Sequence, residues 1–170
     1  MARRYRHPVS VGIFSARMIP ARNKRTAPPM RVRIRRALIA DLPRLFAIMA
    51  TARENRQFET EDTFSEATQP YVDAGLCWVC LLDPVIAGFV ASDARRGTVE
   101  MLYVDPSLEG RKIARVLMRR ALDDLIRAGH RTATLVTGRD TRADRFYRAQ
   151  GWVERGDAGR GSVRLMKGLR

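Results

Sequence analysis

The hydrophobic pattern changes period most sharply near the middle of the chain, and that change marks its organising segment. Val99 to Val104 is apolar or aromatic at nearly every position, as in a strand, and the run breaks at Asp105-Pro106. From Ile113 the apolar residues Ala114, Leu117, Met118, Ala121, Leu122 and Leu125 recur at three- and four-residue spacing. That spacing predicts a helix stripe, running to about Ala128 and ended by Gly129. A strand that passes through a short loop into a helix gathers unpaired backbone N–H groups at the positive end of the helix dipole, which suits phosphate. The loop has neither the Gly-Lys-Ser/Thr of a nucleoside-triphosphate loop nor the three-glycine dinucleotide fingerprint. An ordinary strand-to-helix connection explains the same residues.

Around this segment the pattern predicts further elements. Val32 and Ile34, with Ala37 following, suggest a first strand. Asp41 is placed to cap a helix carrying Leu42, Leu45, Phe46 and Met49 on one face. Glu54 to Asp62 reads as a loop or irregular helix end. A second helical stretch follows near Thr63 to Ala74, weakened by Pro70 and stopped by Gly75. Cys77 to Leu82, Val85 to Ser92 and Thr98 to Val104 form an antiparallel meander with turns at Asp83-Pro84 and Asp93 to Gly97. After the central helix come a strand at Thr132 to Thr137, a helix at Asp140 to Gln150, and closing strand material at Trp152-Val153 and Ser162 to Met166. The glycine-rich turn Gly156 to Gly161 separates those last two pieces. The order predicts an α/β (α+β) fold with a mixed central sheet and helices on both faces.

Length and charge refine this picture. A chain of 170 residues with 45% hydrophobic content holds one domain with a real core. No run approaches the roughly 18 apolar residues of a membrane span. A soluble, cytoplasmic protein with no membrane partner is expected. The formal net charge is +14, and Met1 to Met30 holds seven basic residues and no acidic one. That basic leader, residues 1–30, reads as a disordered arm, a targeting leader or sequence upstream of a start at Met30. Its charge would favour nucleic acid or ribosome, although an Arg-rich composition without a specific partner explains it equally. Cys77 and Cys80 are the only cysteines, and with two histidines they make no zinc set, so no metal is expected. Both read as buried small hydrophobes pointing to opposite faces of a strand.

Three stretches carry a resemblance. Leu102-Tyr103-Val104-Asp105-Pro106 is similar to the central strand and exit of the GCN5-related N-acetyltransferase superfamily, acyl-CoA N-acyltransferase-like in fold. Glu109-Gly110-Arg111-Lys112-Ile113-Ala114 is similar to its Gln/Arg-x-x-Gly-x-Gly/Ala pyrophosphate loop. Ala143-x-x-Phe146-Tyr147-x-x-x-Gly151-Trp152 is similar to its Ala-x-x-Phe-Tyr-x-x-x-Gly-Phe signature. The resemblance covers about Val32 to Leu169 and implies an N-acetyltransferase domain at 31–170 using acetyl-CoA as cosubstrate. It implies that the main chain of Leu102, Tyr103 and Val104 holds the pantetheine arm in a splay between two parallel strands. Gly110, Arg111, Lys112, Ile113, Ala114 and Arg115 would receive the pyrophosphate, with Asp140 and Phe146 completing the cofactor site. The chain departs from the pattern at Glu109, where the superfamily has Gln or Arg, at Lys112 in place of a glycine, and at Asp140, where Asn is common. A carboxylate beside a pyrophosphate is unfavourable unless it turns outward, and Lys112 adds a Cβ where close approach is wanted.

Acetyl transfer needs an unprotonated amine, a route for its proton and an acid for the departing thiolate. The resemblance implies Tyr147 as that acid; packing on the sheet is the alternative. Glu100, a lone carboxylate among apolar strand residues, is the candidate base or water-positioning group, or else a structural ion-pair partner. Strict alternation would place Glu100 with Leu102 and Val104, opposite Val99, Met101 and Tyr103. Glu54, Phe58 and Trp78 are candidates for the acceptor pocket, with core packing the alternative for the two aromatics. The acceptor would be a small-molecule amine, a protein N-terminus or a lysine; the acidic cluster Glu54, Glu59, Glu61, Asp62 and Glu66 would suit a cationic one, and a solvated loop face explains it equally well. Two other readings stay open: a nucleic-acid- or ribosome-associated protein acting through its leader, and a degenerate member that binds acetyl-CoA as a regulator. A homodimer is also open.

Overall fold

The computed structural model describes residues 32–52 and 58–170. Strands β1 (Val32–Arg36), β2 (Cys77–Leu82), β3 (Val85–Asp93), β4 (Thr98–Val104), β5 (Thr132–Gly138), β6 (Val153–Gly159) and β7 (Ser162–Gly168) alternate with α1 (Leu42–Ala50), α2 (Glu61–Asp73), α3 (Ile113–Arg127) and α4 (Arg142–Arg148). The strands form one mixed sheet in the order β1-β2-β3-β4-β5-β7-β6, antiparallel except between β4 and β5. This is the mixed, helix-flanked sheet that the pattern predicted. The basic leader 1–30 and Glu54 lie outside the described residues.

Two cores sandwich the sheet. On one face Ile113, Leu117, Met118, Ala121 and Leu125 of α3 pack with Cys80, Val90, Leu135 and Trp152. On the other Leu45, Ile48 and Met49 of α1 and Phe64 of α2 pack with Cys77, Val79, Phe89 and Tyr103. The two cysteines therefore point to opposite faces, as a separation of three in a strand requires. Both are free and buried, and burial pushes the Cys77 thiol up to about 12. Gly88 lets β3 and β4 close up, because a Cβ there would lie 2.7 Å from the Tyr103 carbonyl oxygen.

Three local expectations are corrected. Asp41 sits at the start of α1 but makes no side-chain cap. Its carboxylate accepts from Arg35 at 2.6 and 2.9 Å and from the Leu38 N–H at 2.8 Å. A bidentate guanidinium outcompetes a neutral N–H for that carboxylate. Burial would raise the Asp41 pKa, yet these bonds and the Arg35 charge bring it below the ordinary value. Second, the glycine-rich run Gly156 to Gly161 is mostly strand. β6 continues to Gly159, with register shifts at Glu154/Gly156 and Asp157/Gly159, and only Arg160-Gly161 turns, both at positive φ.

The third correction concerns β4. Ala91 pairs with Met101 and Ser92 with Val99, so Glu100 is an extra residue, a bulge. The bulge shifts the pleat by one position. Val99 packs in the α3-side core, with Leu102 and Val104 against it, while Met101 and Tyr103 face α1 and α2. Alternation had grouped Val99 with Met101 and Tyr103.

Candidate active site

The parallel ladder between β4 and β5 is registered at Thr98↔Thr134, with no further register pair between these strands among the described residues. Beyond that point the strands diverge and leave a cleft of about 1030 Å³, walled by Val99 to Val104 on one side and Leu135 to Gly138 on the other. A hydrogen bond from the Thr134 N–H to the Gly97 carbonyl at 3.0 Å closes the narrow end.

The wide end is built by the loop leaving β4. The Asp105 carboxylate accepts from the Ser107 N–H at 3.0 Å and hydroxyl at 2.7 Å, and from Arg44 of α1 at 2.6 Å. The Ser107 bond lowers the Asp105 pKa, burial opposes it, and Arg44 lowers it further. These bonds fix the tight turn Pro106–Leu108 and so aim the loop 109–112. Gly110 takes φ +76 with open space around it, and Lys112 stands at the helix start with φ +63. Lys112 thus keeps the left-handed conformation that a glycine would adopt freely. α3 has no side-chain cap, and its first backbone bond runs from Val116 N–H to the Lys112 carbonyl. The N–H groups of Ile113, Ala114 and Arg115 are thereby left without partners inside the helix, on residues that line the cleft.

Charge gathers at this end. Arg111, Lys112, Arg115, Arg142 and Arg145 line the cleft, and Glu109 among them is ion-paired to Arg142. The carboxylate that stood as an objection to an anion site is thus neutralised by an arginine from α4. Arg142 and Arg145 did not stand out in the sequence; projecting α4 from Tyr147 back to its start would have placed them beside the loop. The Tyr147 carbonyl accepts from the Gln150 and Trp152 N–H groups, and its ring packs edge-on to Phe146 and Trp152 at 5.4 and 6.0 Å. Tyr147 is 8% exposed, lines the cleft, and has its phenol pKa raised by burial and secondarily by Tyr103. It is held in the protonated form.

At the narrow end Thr98 donates its hydroxyl to the Glu100 carboxylate. Tyr71 of α2 lies near enough that Glu100, after burial, contributes to raising its pKa. Of the sequence candidates, Glu100, Leu102, Tyr103, Val104, Gly110 to Arg115, Phe146 and Tyr147 come together in this cleft. Asp140 stands outside its lining: at φ +61 its N–H donates to Asp144 at 3.1 Å and its carbonyl accepts from Arg145. Asp or Asn tolerates that left-handed turn, a structural reason for either. Phe58 packs edge-on to Phe64 in the α1/α2 core. Trp78 stands apart, its indole N–H donating to Asp124 of α3 at 2.7 Å under the Arg36 guanidinium.

The model of the acetyltransferase (GNAT) family matches residues 42–152. The chain belongs to this family. The match runs from the first residue of α1 to Trp152, and so takes in both walls of the cleft and the Phe146-Tyr147 pair. No curated protein sequence matches the chain. Solved structures share the family fold at low identity. Ard1 from Thermoplasma volcanium is 14% identical at a TM-score of 0.69, covering 82% of this chain and 98% of its own. The PaiA N-acetyltransferase from Thermoplasma acidophilum, in complex with coenzyme A, is 17% identical at 0.67, covering 82% and 99%. YncA from Salmonella typhimurium, with its cofactor acetyl-CoA, is 20% identical at 0.64, covering 82% and 94%. Among the described residues no cluster of His, Cys, Asp and Glu could hold a metal ion, and no helix is long and apolar enough to cross a membrane.

Proposed function

We propose that this GNAT-family chain moves an acetyl group from acetyl-CoA to the primary amine of a cationic acceptor. The observation that carries this reading is the splay of β4 from β5, opening onto the uncapped start of α3. Such a cleft offers a strand edge to an extended amide-bearing arm and several N–H groups with four or five cations to a diphosphate. The family membership, and the coenzyme bound in PaiA and YncA, support the same ligand.

Acetyl-CoA, once held, supplies an activated acyl carbon and a thiol leaving group. Leu102, Tyr103 and Val104 orient its arm, and Gly110 to Arg115 hold its phosphates. Tyr147 keeps a proton on its buried phenol for the departing sulfur. Glu100, raised out of the strand by its bulge and bonded to Thr98, takes or relays the proton that the amine loses. On the α2 side Glu59, Glu61, Asp62, Glu66 and Asp73 are exposed, which draws a cationic amine to that side of the sheet.

Calorimetric titration with acetyl-CoA and a thiol-release assay against amines, polyamines and peptide N-termini test this reading. Saturable binding and release with at least one cationic acceptor are expected. Tyr147→Phe should lower kcat about 100-fold while cofactor affinity stays within about twofold. A chain that binds no acetyl-CoA is not this enzyme.

A further inference from the structure

We infer that Glu109 sets the affinity of the cleft by competing with the ligand's phosphates for Arg142. The inference rests on the acetyl-CoA reading above. Glu109 and Arg142 come from opposite walls: one lies in the loop after β4, the other opens α4 after β5. Their ion pair therefore bridges the two strands whose separation makes the cleft, and both residues line it.

The pairing is selective. Asp140 occupies Arg145 through its carbonyl oxygen, and Arg111, Lys112 and Arg115 have no ion-pair partner among the described residues. Of the two carboxylates in the lining, Glu100 is bonded to Thr98 at the narrow end, which leaves Glu109 as the one beside the cations.

The contact is also weak enough to exchange. The Glu109 side chain is 34% exposed and that of Arg142 64%, so water screens the pair. The neighbouring Gly110, at positive φ, has nothing within 4 Å of a would-be Cβ, so the loop beside Glu109 is open on that side. A diphosphate arriving at the start of α3 then takes over Arg142 and turns the Glu109 carboxylate out to solvent. Part of the binding free energy is spent on that displacement, so the ligand is held less tightly than the cations alone would hold it.

Coenzyme A affinity, measured calorimetrically on the full chain and on Glu109→Gln, Arg142→Gln and the double variant, tests this, alongside the melting temperature of each without ligand. Glu109→Gln should tighten binding about three- to tenfold while leaving the unliganded protein equally or slightly less stable. Arg142→Gln should weaken binding, and in that background the Glu109→Gln gain should largely vanish. A pair that serves only the fold would lower the melting temperature in both single variants with no gain in affinity, and that result overturns the inference. So does a gain that survives intact in the Arg142→Gln background, since the carboxylate would then act on the phosphates without Arg142. If the wild-type chain binds coenzyme A and Glu109→Gln binds it no better, this inference alone fails. If none of the four proteins binds, the acetyl-CoA reading fails with it.

Discussion

On the α3 side of the sheet, Asp124 is 5% exposed and accepts from Arg36, Arg127 and the Trp78 indole. Asp144 and Glu154 share Arg148 there, and Glu109 holds Arg142. On the α2 side, Glu59, Glu61, Asp62, Glu66 and Asp73 are all exposed, and none enters an ion pair among the described residues. The contrast follows the sequence. Phe58 to Ala94 holds seven carboxylates and no Lys or Arg, whereas Arg95 to Arg170 holds eighteen Lys and Arg against nine carboxylates. In the basic half the carboxylates of Asp105, Glu109, Asp124, Asp144 and Glu154 are each held by an arginine. Those on α2 keep their charge for solvent and act at a distance, over roughly a Debye length of 8–10 Å. The α2 face thus presents exposed, unpaired carboxylates, while the phosphate end of the cleft presents cations; under the proposed function these would suit a cationic acceptor and a diphosphate respectively.

The largest expected effect lies on the structural side of this comparison. Asp124→Ala strands the Trp78 N–H and releases Arg36 and Arg127, and it should cost about 2 kcal/mol of stability, read as a lowered denaturant midpoint. Because Trp78 lies outside the cleft, coenzyme A affinity should not change. A loss of affinity matching the loss of stability would mean that the α3 network also shapes the cleft.

A smaller, purely functional effect is expected from α2. Glu59→Gln, Glu66→Gln and Asp73→Asn together leave Glu61 and Asp62 at the helix start, where acids favour it. The triple variant should raise KM for a cationic amine about threefold at low salt and less at about 0.5 M salt. Affinity for acetyl-CoA and stability should stay as they were. If KM does not move, the acidic face is only a solvated surface and the charge segregation has no role in acceptor choice.

The smallest effect is at Lys112. Its left-handed φ of +63 costs about 1 kcal/mol, and glycine's extra unfolded-state freedom costs back about 0.5–1. Lys112→Gly should therefore change stability by no more than about 0.5 kcal/mol, while losing one cation beside the phosphates and about two- to threefold in coenzyme A affinity. A clear fall in stability would assign Lys112 to the fold, with the paired residues, instead of to the ligand.

Much of this molecule was legible beforehand because its signals are local. The run Val99 to Val104, the stripe from Ile113 to Leu125 and the meander Cys77 to Ser92 each depend on contacts within a turn or a hairpin, and they form where the periods place them. The strand-loop-helix segment was readable as an anion site for the same reason: uncapped N–H groups follow from helix geometry. The Phe146-Tyr147 signature needed only its own spacing.

Tertiary structure decided what depends on register and on distant partners. The bulge at Glu100 comes from the fit of β3 to β4, and it moved Val99 to the other face; no period within β4 encodes it. The Trp78 indole found Asp124, 46 positions away, and stands outside the lining of the cleft. Glu109 met Arg142, 33 positions away, only because β4 and β5 splay and set the two loops facing one another. Chain periodicity reaches four or five residues, whereas a side chain's partner across a sheet is fixed by how whole elements pack.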